Sequence, residues 1–226
     1  MQHPDDGAIA GVDCDLFHPL VEDPPGVLGA LPVDELLPTG PYLAVAARLQ
    51  PLKGVDLAIE ALAQVELAHR PTLVISGTAA EDHSGYESEL RECVALLGVQ
   101  DNVRFIGACA RGCLARTLRR SLAVLVPSHT ETFGLIALEA AASGVPVIAS
   151  DVSGLREAVL DGETGLLIAG RDPASWAAVI ESLVTDPEYA ARLGQAGRRR
   201  ALTLSWQRAV DGLEKEYDEV VEEFYA

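Results

Sequence analysis

Cations are scarce in this chain: 17 Lys and Arg stand against 34 Asp and Glu over 226 residues, a formal net charge of −17. A field of that sign repels nucleic acid and anionic membrane surfaces, so neither is expected as a partner. Screening confines the field to about 8 Å at physiological ionic strength, and a few local cations can still attract a small anion. The cysteines, Cys14, Cys93, Cys109 and Cys113, form no C-x2-C pair and no Cys/His cluster accompanies them. They read as free thiols in a reducing compartment, without a disulfide framework or a metal. Missing as well is any uninterrupted apolar run of about 18 residues, and Met1 to Asp6 has neither a basic n-region nor an apolar h-region. The expectation is a soluble, cytoplasmic protein with no stable membrane insertion. Neither G-x-G-x-x-G nor G-x4-G-K-[ST] nor Gly-x-Ser-x-Gly occurs, which weighs against a dinucleotide cofactor, a P-loop NTPase and a serine hydrolase. His3, His18, His69, His83 and His129 are not spaced as metal ligands.

What the chain does have is apolar content for one substantial core, at 49% hydrophobic residues. Residues 1–40 are rich in Pro, Gly and Asp and read as a connector with one short strand near Ala8 to Val12. From Tyr42 the pattern alternates. Strands are expected at Leu43 to Ala47, Leu73 to Ser76, Val103 to Ile106, Ala123 to Val126, Val145 to Ala149 and Gly165 to Ala169. Between them, Val55, Ala58, Ile59, Leu62 and Val65 give one helix an apolar face, and residues 86–97 and 112–121 give two more. Strands separated by helices imply a parallel, doubly wound Rossmann-like α/β sheet of about six strands. Residues 173–222 read as consecutive helices. The last begins at Ser205 as N-cap and carries the stripe Trp206, Ala209, Val210, Leu213, Tyr217, Val220 and Val221, which suits core packing. The organisation expected is a connector at 1–40, a Rossmann-like domain at 41–204 and a terminal helix at 205–226.

The stretch from Ala123 to Gly144 reads as buried strand, ligand-facing turn and helix in succession. Gly134 opens the helix, whose free N–H groups and positive dipole end suit an anion, and a glycine there lets a ligand approach the backbone. Glu131 and Glu139 frame the turn. Were the interval wholly helical they would stand about 12 Å apart and within about 80° of one face. Two acceptors so spaced suit two parts of one extended polar ligand, and they are too far apart to flank a single bond as a catalytic pair. The alternative is a capping Glu131 and a solvated Glu139. Arg48 and Lys53 follow the first strand, at the carboxyl edge where this architecture binds ligands, and in the order 3-2-1-4-5-6 their loop adjoins the Glu131 turn. A guanidinium and an ammonium there suit phosphate. His129 adjoins the turn with a ligand contact or a structural role. Asp13-Cys-Asp15 matches a metal-holding D-x-D literally but lacks the apolar strand that would present it.

Pro127-Ser-His-Thr-Glu-Thr-Phe-Gly-Leu-Ile-Ala-Leu-Glu139 resembles the E-x7-E signature of retaining GT-B glycosyltransferases of the family 4 type. Ala44 to Asp56 resembles that family's basic donor-phosphate segment, and Gly11 to Pro19 its inter-domain connection, with Ala10 where Asn is usual. Gly144-Val-Pro-Val, Gly154-Leu-Arg-Glu and Asp161-Gly-Glu-Thr-Gly continue the pattern. The resemblance implies the carboxyl-terminal, donor-binding half of an enzyme that moves a hexosyl group from a nucleoside diphosphate, UDP favoured, with its acceptor-binding domain absent from this chain. It implies a diphosphate held by Arg48, Lys53, Gly134 and Leu135, a sugar held by Glu131, Thr132 and Phe133 with Glu131 catalytic, and a ribose held by Glu139. Neither a metal nor a further cofactor is implied. A stand-alone nucleotide-sugar-binding or regulatory module and a sugar-nucleotide epimerase of the same fold remain alternatives.

Overall fold

The structure is a computed structural model and describes residues 11–19 and 33–225. A short helix α1 (Val33–Leu36) precedes the alternating core. That core runs β1 (Tyr42–Ala46), α2 (Val55–Gln64), β2 (Thr72–Ser76), α3 (Tyr86–Leu96), β3 (Val103–Gly107) and α4 (Arg111–Arg119). It continues through β4 (Ala123–Val126), α5 (Leu135–Ala142), β5 (Val147–Ser150), α6 (Ser153–Ala158) and β6 (Gly165–Ile168). Helices α7 (Pro173–Thr185), α8 (Pro187–Thr203) and α9 (Trp206–Tyr225) complete the chain. All six strands pair in parallel in the order β3-β2-β1-β4-β5-β6.

Handedness decides where the helices go. From β1 the chain steps one way to β2 and β3, and from β4 the other way to β5 and β6. Right-handed crossovers therefore put α2 and α3 on one face and α5 and α6 on the other. Leu43, Val45, Leu73, Ile75, Leu125 and Ile148 accordingly pack with α2, α3 and α7 around the fully buried Trp176. Their neighbours Ala44, Val74, Val124, Val126, Val147 and Ala149 pack with α4, α5 and α6. The inner strands β2, β1, β4 and β5 are buried on both faces, which is why they read as apolar runs, whereas the edge strand β3 leaves Arg104 exposed. Helix starts are local: Asp172 and Asp186 each accept a backbone N–H of the turn that follows, and each precedes a proline at the first helical position.

β5 starts at Val147 and not at Val145. The Val145 N–H instead closes α5 on the Ala140 carbonyl, and Pro146 has no N–H to give to a ladder. Helix α4 ends at Arg119 because the Ser121 N–H and hydroxyl both turn back to the Leu118 carbonyl. Of the strand expected near Ala8 to Val12, residues 8–10 lie outside the described residues. Val12 bridges to Ser205, so the chain before the sheet and the chain leading into α9 run side by side. The Ser205 hydroxyl accepts the Arg208 N–H as the expected cap. The core-packing expectation for the α9 stripe does not hold: Trp206, Val210, Leu213, Tyr217 and Val220 are all exposed, Tyr217 at 71%. Among the described residues, no helix is long and apolar enough to cross a membrane.

Helix α5 is short, alanine-rich and buried nearly all round, and α8 lies against it. The approach is so close that a Cβ on Gly194 would stand 2.1 Å from the Gly144 carbonyl oxygen. Gly194→Ala should therefore separate the two helices and cost about 1–3 kcal/mol, lowering Tm by about 2–12 °C in a domain of this size. Thermal unfolding of the variant measures this, and a Tm within about 1 °C of the parent would contradict the packing argument.

Candidate functional site

Strand order makes β1 and β4 neighbours at the point where the winding reverses, so their carboxyl-end loops diverge to opposite faces and leave a crevice. That crevice holds a cavity of about 380 Å³ lined by Ala46, Ala47, Arg48, Lys53, Pro127, Ser128, Glu131, Thr132, Phe133, Leu135 and Ile136, with strand residues beneath. A second cavity, of about 420 Å³, opens at the opposite edge beside Tyr42. Arg120 is its one charged lining residue, whereas the first brings three charged side chains together.

The two loops are joined directly. His129 donates its backbone N–H to the Leu52 carbonyl at 2.9 Å, and Lys53 Nζ meets Glu131 Oε2 at 2.8 Å. Lys53 sits in a short 3-10 turn, Pro51–Lys53, closed by Gly54 in the left-handed region at φ 66°. A side chain at Gly54 would strike the Pro127 carbonyl, its Cβ only 2.0 Å from the oxygen. Glu131 Oε1 also accepts the Thr132 N–H at 3.3 Å. With Lys53 24% and Glu131 17% exposed, this ion pair is sheltered yet open to the cavity. Lys53 has three N–H donors and can serve a phosphate while it holds Glu131. Arg48, by contrast, is exposed and makes no ion pair among the described residues.

Most of the expected site residues line this cavity: Arg48, Lys53, Glu131, Thr132, Phe133 and Leu135. Gly134 does not. Its φ is 64°, and a Cβ would meet Leu155 at 3.0 Å and Ala158 at 3.2 Å, so backbone conformation and packing on α6 both call for a glycine here. The first turn of α5 has no side-chain cap, which leaves the Leu135 and Ile136 N–H groups without intrahelical acceptors. Glu131 is therefore not the helix cap. Glu139 is also absent from the cavity lining. The interval between the two glutamates is helical only from Leu135, so a rotation counted from Glu131 does not apply to it.

Glu139 lies instead at the junction of α5 with α4, its side chain 12% exposed, with Arg111 Nη1 3.4 Å from Oε1. Burial pushes its carboxyl above the ordinary value of 4.5, Arg111 pulls it back and Asp13 adds a smaller upward push. The solvated alternative fails on this burial. Asp13 caps its own turn through the Asp15 and Leu16 N–H groups, as a structural Asp does, and gives the D-x-D match no support. His129 is exposed, and only its backbone joins the site. Among the described residues no group of three or more His, Cys, Asp and Glu is placed to hold a metal. All four cysteines are free thiols.

Three supports were not foreseen from the sequence. Arg171 donates to the Pro127 carbonyl at 2.8 Å and approaches Asp56 at 3.9 Å, tying the β6–α7 loop to both site loops. Tyr86 donates to the same Asp56, and burial together with that carboxylate holds its phenol well above its usual range. Gly154 at the start of α6 donates its N–H to the Glu131 carbonyl, and its Cβ would stand 2.4 Å from that oxygen. Of these only the glycine carried a sequence signal, as part of Gly154-Leu-Arg-Glu.

A doubly wound parallel sheet with a cationic crevice at its switch point and an uncapped helix beside it makes this a Rossmann-like domain, of the GT-B type by its likeness to solved glycosyltransferases. The family described as "Glycosyl transferases group 1" matches residues 33–200, and the chain belongs to it. A "D-inositol 3-phosphate glycosyltransferase" of Frankia alni is 39% identical over 212 residues, covering 92% of this chain and 51% of that protein. The chain thus spans about half the length of the curated relatives it matches. Among solved structures, the C-terminal domain of a glycosyl transferase group 1 family protein (LpcC) from Francisella tularensis is 28% identical with a TM-score of 0.73. The match covers 85% of this chain and 97% of that one. Anabaena HepE, solved in complex with UDP and glucose, shares the fold at a TM-score of 0.80 and 23% identity over 92% of this chain and 55% of its own.

The Glu139 environment has a consequence for stability. A folded-state pKa above the unfolded one means that the stability this group contributes is complete below 4.5 and is lost as pH rises through the raised folded value. Relative to Glu139→Gln, which cannot titrate, the parent should gain stability as pH falls from about 7 to about 4. Urea denaturation at a series of pH values reads this difference, and a constant offset would contradict it.

Proposed function

We propose that this chain is the donor-binding half of a retaining glycosyltransferase and holds a nucleoside-diphosphate sugar at the β1–β4 crevice. The observation that carries the reading is the shared cavity in which Arg48 and Lys53 from one loop face Glu131 from the other, beside the open first turn of α5. The diphosphate lies against Arg48, Lys53 and the Leu135 N–H, the hexosyl group against Glu131, Thr132 and Phe133, and the ribose against Glu139. UDP is the nucleotide we favour, in keeping with the UDP and glucose bound by one structural neighbour. Four free thiols agree with a cytoplasmic setting.

Chemistry on this site follows from charge. As the sugar–phosphate bond breaks, negative charge grows on the leaving diphosphate, where a guanidinium, an ammonium and a helix N-terminus can stabilise it in the place a metal would take. Glu131, held by Lys53, offers a carboxylate to the sugar as positive charge develops at its anomeric carbon. The acceptor-binding domain belongs to the half that this chain does not span. One wall of a cleft cannot exclude water or orient an acceptor, so the proximity contribution is missing. The exposed stripe of α9 suits a contact with that other half.

Two measurements test the reading. Arg48→Ala should weaken UDP binding about 10- to 150-fold, since a charge-assisted hydrogen bond contributes about 1.5–3 kcal/mol, and leave uridine binding nearly unchanged. Equal losses for UDP and uridine in calorimetry would remove the phosphate assignment. The purified chain should bind UDP-glucose yet transfer no labelled sugar to a panel of acceptors, and robust transfer by this chain alone would overturn the half-enzyme reading.

A further inference from the structure

Glu139 is a largely buried carboxylate, its side chain 12% exposed, with acceptor positions that no group among the described residues fills. Its oxygens receive no hydrogen bond among the described residues, and the Arg111 contact at 3.4 Å is longer than a charge-assisted hydrogen bond of about 2.7–2.9 Å. A buried carboxylate with open acceptor positions is matched by two neighbouring hydroxyl groups, one to each oxygen. What keeps it ready for them lies on another element. Arg111 opens α4, and its guanidinium stacks over the Phe17 ring at 5.2 Å to the centroid. Phe17 is a fixed shelf: it is fully buried, its N–H is bonded to the Asp13 carbonyl, and Arg198 holds its carbonyl at 2.9 Å.

We propose that Arg111 is a positioning residue for nucleotide binding, braced on Phe17 so that the Glu139 carboxylate stands as the acceptor for the ribose hydroxyls. This rests on the assignment of Glu139 to the ribose. The groups facing Glu139 explain why an arginine is needed. Asp13, from the segment before the sheet, repels the carboxylate, and Arg198, from α8, spends its guanidinium on the Ala142, Phe17 and Cys14 carbonyls. Arg111 is left as the cation that opposes burial and Asp13 together. A protonated Glu139 would turn one of its acceptors into a donor and lose the paired contact with the diol.

The test reads Glu139 directly and needs no ligand in its first arm. The carboxyl 13C resonance of Glu139 is titrated in the parent, in Arg111→Met and in Arg111→Lys. Arg111 is 61% exposed, so a methionine there leaves the core intact. The methionine variant should raise the Glu139 pKa above the parent value, and lysine should restore most of it. An unchanged titration in Arg111→Met overturns the proposal. In the second arm, UDP-glucose and its 2′-deoxy analogue are bound at pH 8 and pH 6; their diphosphate does not titrate in that range. Arg111→Met should lose affinity for UDP-glucose on going from pH 8 to pH 6 more than the parent does, and the deoxy analogue should show much less of this difference. If Glu139→Gln leaves the ratio between the two ligands at the parent value, the ribose assignment fails, and the positioning role with it. The first arm still reports whether Arg111 and Glu139 are coupled, so the two failures are told apart.

Discussion

The adjacency of β1 and β4 is the constraint on which the rest depends. These strands are not consecutive in the chain, and they pair because the sheet grows outward from them in both directions. Growth in two directions sends the following helices to opposite faces, and the loops between strand and helix must part above the shared edge. The parted loops are then drawn together by a few contacts: the His129–Leu52 backbone bond, the Lys53–Glu131 ion pair and the Arg171 bridge to Pro127. A cavity that is cationic in an acidic protein follows from this arrangement, because two cations are carried by one loop and one of them, Lys53, is held by the other.

Support for the site comes from behind it. Gly154 lies under the Glu131 turn, and Gly54 lies against the end of β4, each where a single methyl group would displace the backbone. Backbone contact of this kind positions a loop more rigidly than side chains can, since it leaves no rotamers to adjust. The Glu131 side chain inherits that rigidity. Glu139 is held differently, by a stacked guanidinium and burial.

How much of this could be read beforehand depended on how local each cause is. Strands buried on both faces write themselves as short apolar runs, so Ala123–Val126 and its neighbours were legible to within a residue or two. The convergence of Arg48, Lys53 and Glu131 was legible because strand order follows from the alternation and the crevice follows from strand order. Arg171 left no such trace. Its partner Pro127 lies 44 residues away, and nothing near either residue announces the contact. Arg111 on Phe17 is of the same kind. Gly134 was legible as a glycine that the turn requires, whereas its close packing against Leu155 and Ala158 of α6 was not, since only the fold brings them together. The α9 stripe was legible as a pattern, but periodicity states that a face is apolar and leaves open what covers it.

The composition of α5 bears on how such a site can change over time. Ala137, Ala140, Ala141 and Ala142 are buried, and Gly194 and Gly197 of α8 press against the helix and its end. A larger residue at these positions would part the helices before it reached any ligand. Variation is thereby channelled to the exposed rim, to Thr132, Phe133 and Leu135, whose side chains face the cavity and carry little of the core. A descendant could reshape the cavity there while the scaffold stays silent, so that adaptation of the pocket and retention of the fold are written on separate residues.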